Sequence, residues 1–467
     1  MQNGVIFLLN DWIRQYADGA ADHTEIRAQQ AFNRAVTLVG GNLVNNTRTR
    51  TGGVCARVYK NGLWGFASKG EYDEASVRAV LETAKENALF MDRKLCAGKA
   101  PLLAAAPVHY ETDLVFRDVE QKTLIDYATA IDHYIQTKYP DLASRSVGVR
   151  SGCIEKLLHT DNGSFAHQLF PRTYFIISMT AETADGETVE LFDIVGGGAG
   201  SFSDFYDDPM QYADRIDSLY EELMQKREGV FPNAGMCDCI IGSAVAGMVA
   251  HEAVGHTVEA DLVLAGSVAA SNLGKEVASP IVNMVDFAHT ALGEETPLPV
   301  YVDDEGTACE DAILIKDGIL VGYMNNLESA QHFGVKPCGN ARAYGFADEP
   351  LVRMRNTAVL PGTDKLEDMI ASIENGYYLT RTANGQADTT GEFMFGVCMG
   401  YEIKNGKLGR ALRDTTISGV AFNMLKTVDM LSDTIEWDFA GFCGKKQPMP
   451  VSMGGPAIKC RVNIGGR

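Results

Sequence analysis

251-HEAVGH-256 is the stretch on which the reading of this chain turns. Two histidines with a glutamate directly after the first is how a zinc peptidase holds its metal and places its base, but there the second histidine comes four positions after the first. Here His256 comes five after His251. An α-helix turns about 100° per residue, so four positions leave two side chains about 40° apart, and five leave them about 140° apart. A π-type turn of about 4.4 residues brings the five-residue offset back to about 50°. Gly255 offers the conformational freedom such a distortion would need. The expectation is therefore a helix that bulges or unwinds near Gly255, with Ser243 as its N-cap. Met248, Val249, Ala250, Ala253 and Val254 make the segment otherwise small and apolar, and a buried His-Glu pair in such surroundings needs partners. The bland alternative is an ordinary helix with one core histidine and one exposed.

A catalytic zinc usually has three protein ligands and one water. Glu259, Asp261, His289 and the downstream cysteines are candidates for the third. Glu259, three after His256, can share its face, but it could equally orient an imidazole from behind. Among the cysteines Cys443 stands out, because Gly441-Phe442 before it and Gly444-Lys445 after it let backbone approach closely. Local chemistry leaves the choice open.

Outward from the motif, three blocks emerge: 1–100, 101–230 and 231–467. In the first, Thr47 to Ser68 alternates like a strand pair turning at Lys60-Asn61-Gly62, and Ala75 to Phe90 has helical apolar spacing. The stretch 96-CAGKAPLLAAAP-107 reads as a linker. The second block carries helices near Val119–Tyr139 and Met210–Lys226 with strand-rich segments between them. Its 196-GGGAGS-201 lacks the G-K-[ST] ending of a phosphate loop and reads as a turn needing positive φ. In the third, 237-CDCII-241 is a strand that puts Cys237 and Cys239 on one side of a sheet, where they read as two buried core thiols rather than a joint chelating pair, and most of the chain after about residue 298 is strand and turn. Asp303-Asp304-Glu305 before Gly306 reads as a strand-ending turn rather than a second metal site. Strands clustered between helices without βαβ alternation predict an α+β fold: an N-terminal α/β-type region plus a β-rich C-terminal domain bearing the motif helix.

With 467 residues the chain is too long for a single core. At 46% hydrophobic and 22% charged it is neither disordered nor fibrous. The apolar run Val5–Leu9 is too short for a signal sequence or a membrane span, so a cytoplasmic location without membrane attachment is expected. Ten cysteines without a disulfide spacing then read as free thiols. A net charge of −20, with one short basic cluster at Arg48, Arg50 and Arg57, argues against nucleic acid as a partner.

The sequence resembles the TldD/PmbA family of metallopeptidases, once described as modulators of DNA gyrase, and specifically its TldD-type catalytic members. The stretches that carry the resemblance are 251-HEAVGHTVEAD-261, 302-VDDEG-306, 339-GNAR-342, 385-GQADTTGEFMF-395 and 443-CGKKQPMPVSMGGP-456. In the last of these, similar proteins usually have a glycine before the Gln, a departure that touches loop geometry rather than the cysteine. The resemblance implies that His251, His256 and Cys443 hold Zn2+ and that Glu252 is the catalytic base for hydrolysis of unfolded or short peptides. Glu259 and Asp261 are then residues supporting the ligands, and Arg342 and Tyr344 are candidate substrate contacts. It also implies a dimer, with a second copy or with a PmbA-type subunit, in which a peptide is held as an added strand. The alternatives are a non-catalytic scaffold of a peptidase complex and, further off, a gyrase-modulating regulator.

Overall fold

The computed structural model describes residues 5–18, 23–95, 102 and 105–466, so the linker expected at 96–107 falls largely outside them. The first two blocks contribute to one seven-stranded sheet. Its strands are β1 (Thr24–Val39), β2 (Asn42–Lys60), β3 (Leu63–Lys69), β4 (His109–Glu111), β5 (Ser144–Thr160), β6 (Phe165–Glu182) and β7 (Thr188–Gly198). They run in the order β3-β2-β1-β5-β6-β4, with β7 also on β6. β1 pairs antiparallel with β5 from Glu25 opposite Thr160 to Val39 opposite Ser146. Asn61 and Gly62, at φ 49° and 91°, make the tight β2–β3 turn that the sequence predicts.

Side chains alternate between the faces of a strand. Ile26, Ala28, Val36 and Leu38 of β1 are all buried and share one face. Near Ile26 that face is covered by helices Val5–Asp18 and Glu74–Leu95, and near Val36 by Gln121–Lys138 and Ala213–Arg227. The opposite face is polar. From it Arg57 donates to Glu305 (2.7 Å), Lys156 to Asp304 (2.6 Å) and Gln168 to the Val302 carbonyl (2.8 Å), while Arg27 lies 3.4 Å from Asp304. Asp303-Asp304-Glu305 does form a turn, closed by Gly306 at φ 80°. Its carboxylates are buried, and two of them answer the cations of the first sheet. Burial pushes the Lys156 ammonium down to about 8 although Asp304 opposes the shift.

The rest of the chain is β-rich, and the fold is α+β. β8 (Gly235–Ile241) lies between strands Asn375–Ala387 and Ile458–Ile464. Thr415–Val420 and Glu392–Lys404 continue the sheet, and Glu392–Lys404 pairs back onto Asn375–Ala387, so five strands close into a ring. A second sheet of six strands has Met284–Phe287, Asn356–Val359 and Ser452–Gly455 at its centre. The motif helix, Ser243–Gly255, packs between the ring and this second sheet, and its apolar residues Val245, Ala246, Val249, Ala250, Ala253 and Val254 are all fully buried in the largest core. Ser243 begins the helix and Gly242 is the cap. The backbone leaves β8 there under the Leu379 carbonyl, 2.9 Å from where a side chain would begin. No helix among the described residues is long and apolar enough to cross a membrane.

Candidate metal centre

Val249 to Gly255 is a π-helical turn, and the His256 amide donates to the His251 carbonyl five residues back. The widened turn swings His256 to the side of His251, with ring centroids 5.2 Å apart. The sequence expectation about Gly255 needs a correction. Its φ of −52° is ordinary helix, so the residue supplies space rather than backbone freedom. A side chain there would begin 2.2 Å from the Met354 sulfur and 3.0 Å from the Ala250 carbonyl.

Cys443 arrives from the far end of the chain on a short hairpin, Phe442–Cys443 against Met449–Pro450. One donor atom each from His251, His256 and Cys443 lies within 4.8 Å of the others. The Cys443 Sγ is 3.3 Å from His256 Nε2. A tetrahedral zinc, about 2.3 Å from sulfur and about 2.05 Å from nitrogen, would hold such a pair about 3.6 Å apart. Two imidazoles and one thiolate form a donor set that zinc favours, so the residues present fit that ion. Burial works against a Cys443 thiolate, but His251 and His256 overcome it and hold the thiol at about 4. Glu252 sits on the open side, its oxygens 3.8 Å from His251 Nε2 and 3.7 Å from His256 Nε2.

Behind this cluster stands a polar shell. Fully buried Glu259 contacts His256 Nδ1 at 2.7 Å, which leaves Nε2 facing the cysteine. Lys445 reaches Glu259 at 3.2 Å and donates to Asp261 at 2.8 Å. Asp261 therefore stands one residue removed from the histidines. The Nδ1 of His251, by contrast, is buried without a hydrogen-bond partner among the described residues. Sequence reasoning missed Arg353. It is fully buried and donates to the carbonyls of Cys443 (2.9 Å), Lys445 (2.9 Å) and Gln447 (2.8 Å), fixing the cysteine hairpin through its backbone. Nothing in the sequence marks that role, because carbonyl partners carry no side-chain signal.

A cleft of about 790 Å³ opens on His251 and Glu252, walled by Tyr378, Arg381, Trp437 and Asp438 among others. Burial raises the Asp438 carboxyl above its ordinary value. Arg342 and Tyr344 are not on this cleft. They line a smaller cavity of about 90 Å³, together with Lys156. Arg342 donates to the Met354 carbonyl (2.5 Å), and the Tyr344 amide donates to Gln447. His289 is elsewhere, stacked on Tyr301.

The comparisons with known proteins define first a class. Two models of metallopeptidase domains match: the PmbA/TldA metallopeptidase C-terminal domain over residues 234–466 and the PmbA/TldA metallopeptidase domain 1 over 24–88. The chain belongs to the PmbA/TldD family. A zinc metalloprotease TldD homolog of Saccharolobus solfataricus is 26% identical over 97% of this chain and 99% of its own length. A metalloprotease TldD homolog of Buchnera aphidicola from Acyrthosiphon pisum is 32% identical over 68% of this chain and 67% of its own. In fold the chain is similar to TldE from Thermococcus kodakarensis, with a TM-score of 0.72 at 16% identity, covering 99% of this chain and all of that one.

Proposed function

We propose that this chain is the catalytic subunit of a zinc-dependent peptidase acting on unfolded or short peptides, with 231–467 as the catalytic unit. The convergence of His251, His256 and Cys443 beside Glu252 carries the reading. The metalloprotease names of relatives that match nearly the whole chain support it. A zinc ion held by the two histidines and the cysteine would supply a Lewis acid that polarises the scissile carbonyl and acidifies water. Glu252, with its side chain 23% exposed, is placed to take the proton of the attacking water and return it to the leaving amine. Glu259 keeps the His256 proton on Nδ1 and so keeps Nε2 free to bind the ion. The thiolate donates more charge than a third imidazole would, which makes the centre a milder acid than a three-histidine site.

The cleft takes an extended segment, and open strand edges would hold it by main-chain bonds. The working form is a dimer in the cytoplasm, with a second copy or a PmbA-type chain. That a chain named TldE shares this fold supports pairing between like-folded subunits. The test is cleavage of a denatured protein and of short peptides by wild type and Glu252→Gln, each alone and with a PmbA-type chain. Metal analysis runs alongside, on wild type and Cys443→Ala. About one zinc per chain that is lost in Cys443→Ala, with cleavage abolished in Glu252→Gln, is the expected result. Equal cleavage by wild type and Glu252→Gln refutes the assignment of the base. Absence of zinc from protein prepared under zinc-replete conditions refutes the enzyme.

A further inference from the structure

β8, the strand that feeds the motif helix, carries Cys237 and Cys239. Two residues apart on a strand, they leave on the same face, and their sulfurs lie 3.5 Å from each other. Cys239 is completely buried, whereas Cys237 is only partly covered, near the end of the strand where Met236 and Asp238 are exposed. The Cys237 Sγ lies 3.7 Å from the Val462 carbonyl of the neighbouring strand. One thiol of the pair thus belongs to a partly exposed residue at the rim of the core, and the other lies behind it within van der Waals contact.

We propose that Cys237 and Cys239 form a dithiol that hydroperoxides oxidise to a disulfide, a modification site independent of the metal centre. The Cys237 thiolate attacks one peroxide oxygen. The S–O bond forms as the O–O bond breaks, and the departing oxygen takes a proton and leaves as water or an alcohol. Cys239 then attacks the sulfenic sulfur, forming the S–S bond and breaking S–O, and the hydroxide leaves as water with the proton from Cys239. Two thiols lose two electrons and the peroxide gains them. The roles follow the surroundings. The bond from Cys239 holds the Cys237 thiol below its ordinary range, while that same bond and burial push Cys239 well above it.

Closing the bond has a structural consequence. Residues two apart on an extended strand have Cα atoms about 6.7 Å apart, at the upper edge of the roughly 4.4–6.8 Å that a disulfide spans. The crosslink would therefore sit within β8, which is hydrogen-bonded on both sides and runs through Gly242 into the helix of His251.

The test uses the full zinc-treated chain, exposed to one equivalent of hydrogen peroxide, alkylated with iodoacetamide and digested with trypsin. Cys237 and Cys239 share the peptide 228–275, which holds no other cysteine. The expected product is that peptide, unalkylated and lighter by two hydrogens, reverting on treatment with dithiothreitol. Cys239→Ser should stop at a Cys237 sulfenic acid that dimedone traps, and Cys237→Ser should leave Cys239 fully alkylated. The proposal is overturned if the wild-type peptide returns with both cysteines alkylated. It is equally overturned if Cys239 is found joined to Cys460, which lies opposite it in the register. Neither readout depends on peptidase activity, so failure here is distinct from failure of the enzymatic reading.

Discussion

Replacing Glu259 by glutamine removes the charge behind His256 while keeping the size of the side chain. The carboxylate is fully buried, contacts His256 Nδ1 at 2.7 Å and has Lys445 at 3.2 Å as its second partner. In Glu259→Gln the amide can present nitrogen as easily as oxygen to the ring, so the tautomer with Nε2 free is no longer enforced. Loss of a partner of this kind weakens metal binding by about 10- to 100-fold, about 1.4 to 2.8 kcal/mol. Lys445 keeps its contact with Asp261 at 2.8 Å, so the lysine is not stranded and the metal-free fold should change little. The assay is competition for zinc against a chromophoric chelator, with thermal unfolding of metal-free and zinc-saturated protein alongside. At a fixed free zinc well above either dissociation constant, a tenfold loss of affinity lowers zinc-dependent stabilisation by about 1.4 kcal/mol. An affinity within about threefold of wild type (roughly 0.65 kcal/mol), with metal-free stability unchanged, would show that Glu259 does not orient His256.

Other outcomes are equally specific. Arg353→Met strips three buried carbonyls of a charged donor and should cost about 3 kcal/mol or more in urea unfolding. In the cobalt-substituted protein it should also weaken the thiolate charge-transfer band, whereas an unchanged band at lowered stability would mean that Arg353 does not position Cys443. Gly255→Ala drives a methyl toward the Met354 sulfur and should destabilise by about 1 to 3 kcal/mol, with recovery in the Gly255→Ala/Met354→Ala pair. A lack of recovery would locate the clash at the Ala250 carbonyl instead. For pH, His23 is the group to watch. Burial disfavours its charge, but Asp161 at 3.0 Å and Glu25 at 3.1 Å outweigh that and raise it to about 10. Its contribution to stability is complete below about 6.5 and disappears as pH climbs to about 10. His23→Gln should flatten the wild-type decline over that window, and a decline of equal slope in both proteins refutes the assignment.

The two ends of the metal cluster were legible to different degrees. Helix arithmetic on five positions between His251 and His256 leads to the π turn that the structure contains, because the period of a helix is a local property. Cys443 could be singled out only by its glycine neighbours and by family resemblance, since 187 residues separate it from His256. Arg342 and Tyr344 illustrate the opposite case. A polar loop motif looks like a binding surface, and these side chains line the smaller cavity beside Lys156 rather than the cleft at His251 and Glu252. Asp303-Asp304-Glu305 reads as a turn and is one. That its carboxylates are buried against Arg27, Arg57 and Lys156 depends on register in a sheet whose long strands the sequence shows only in fragments. The first two blocks, separable on paper, share that sheet because β1 and β5 pair along nearly their whole length, a non-local fact.

The π turn also bears on how this site can change by descent. Such a turn amounts to one residue added to an α-helix, and on paper deleting Ala253 or Val254 restores the four-residue histidine spacing of other zinc peptidases. Five residues of the widened turn sweep about 410° and four residues of α-helix sweep about 400°, so the deletion would leave the chain downstream within about 10° of its present setting. The widened turn takes up its extra residue locally and spares the packing on both sides. The five-residue and four-residue spacings are thus two ways of setting the same pair of imidazoles before an ion, one residue apart in length.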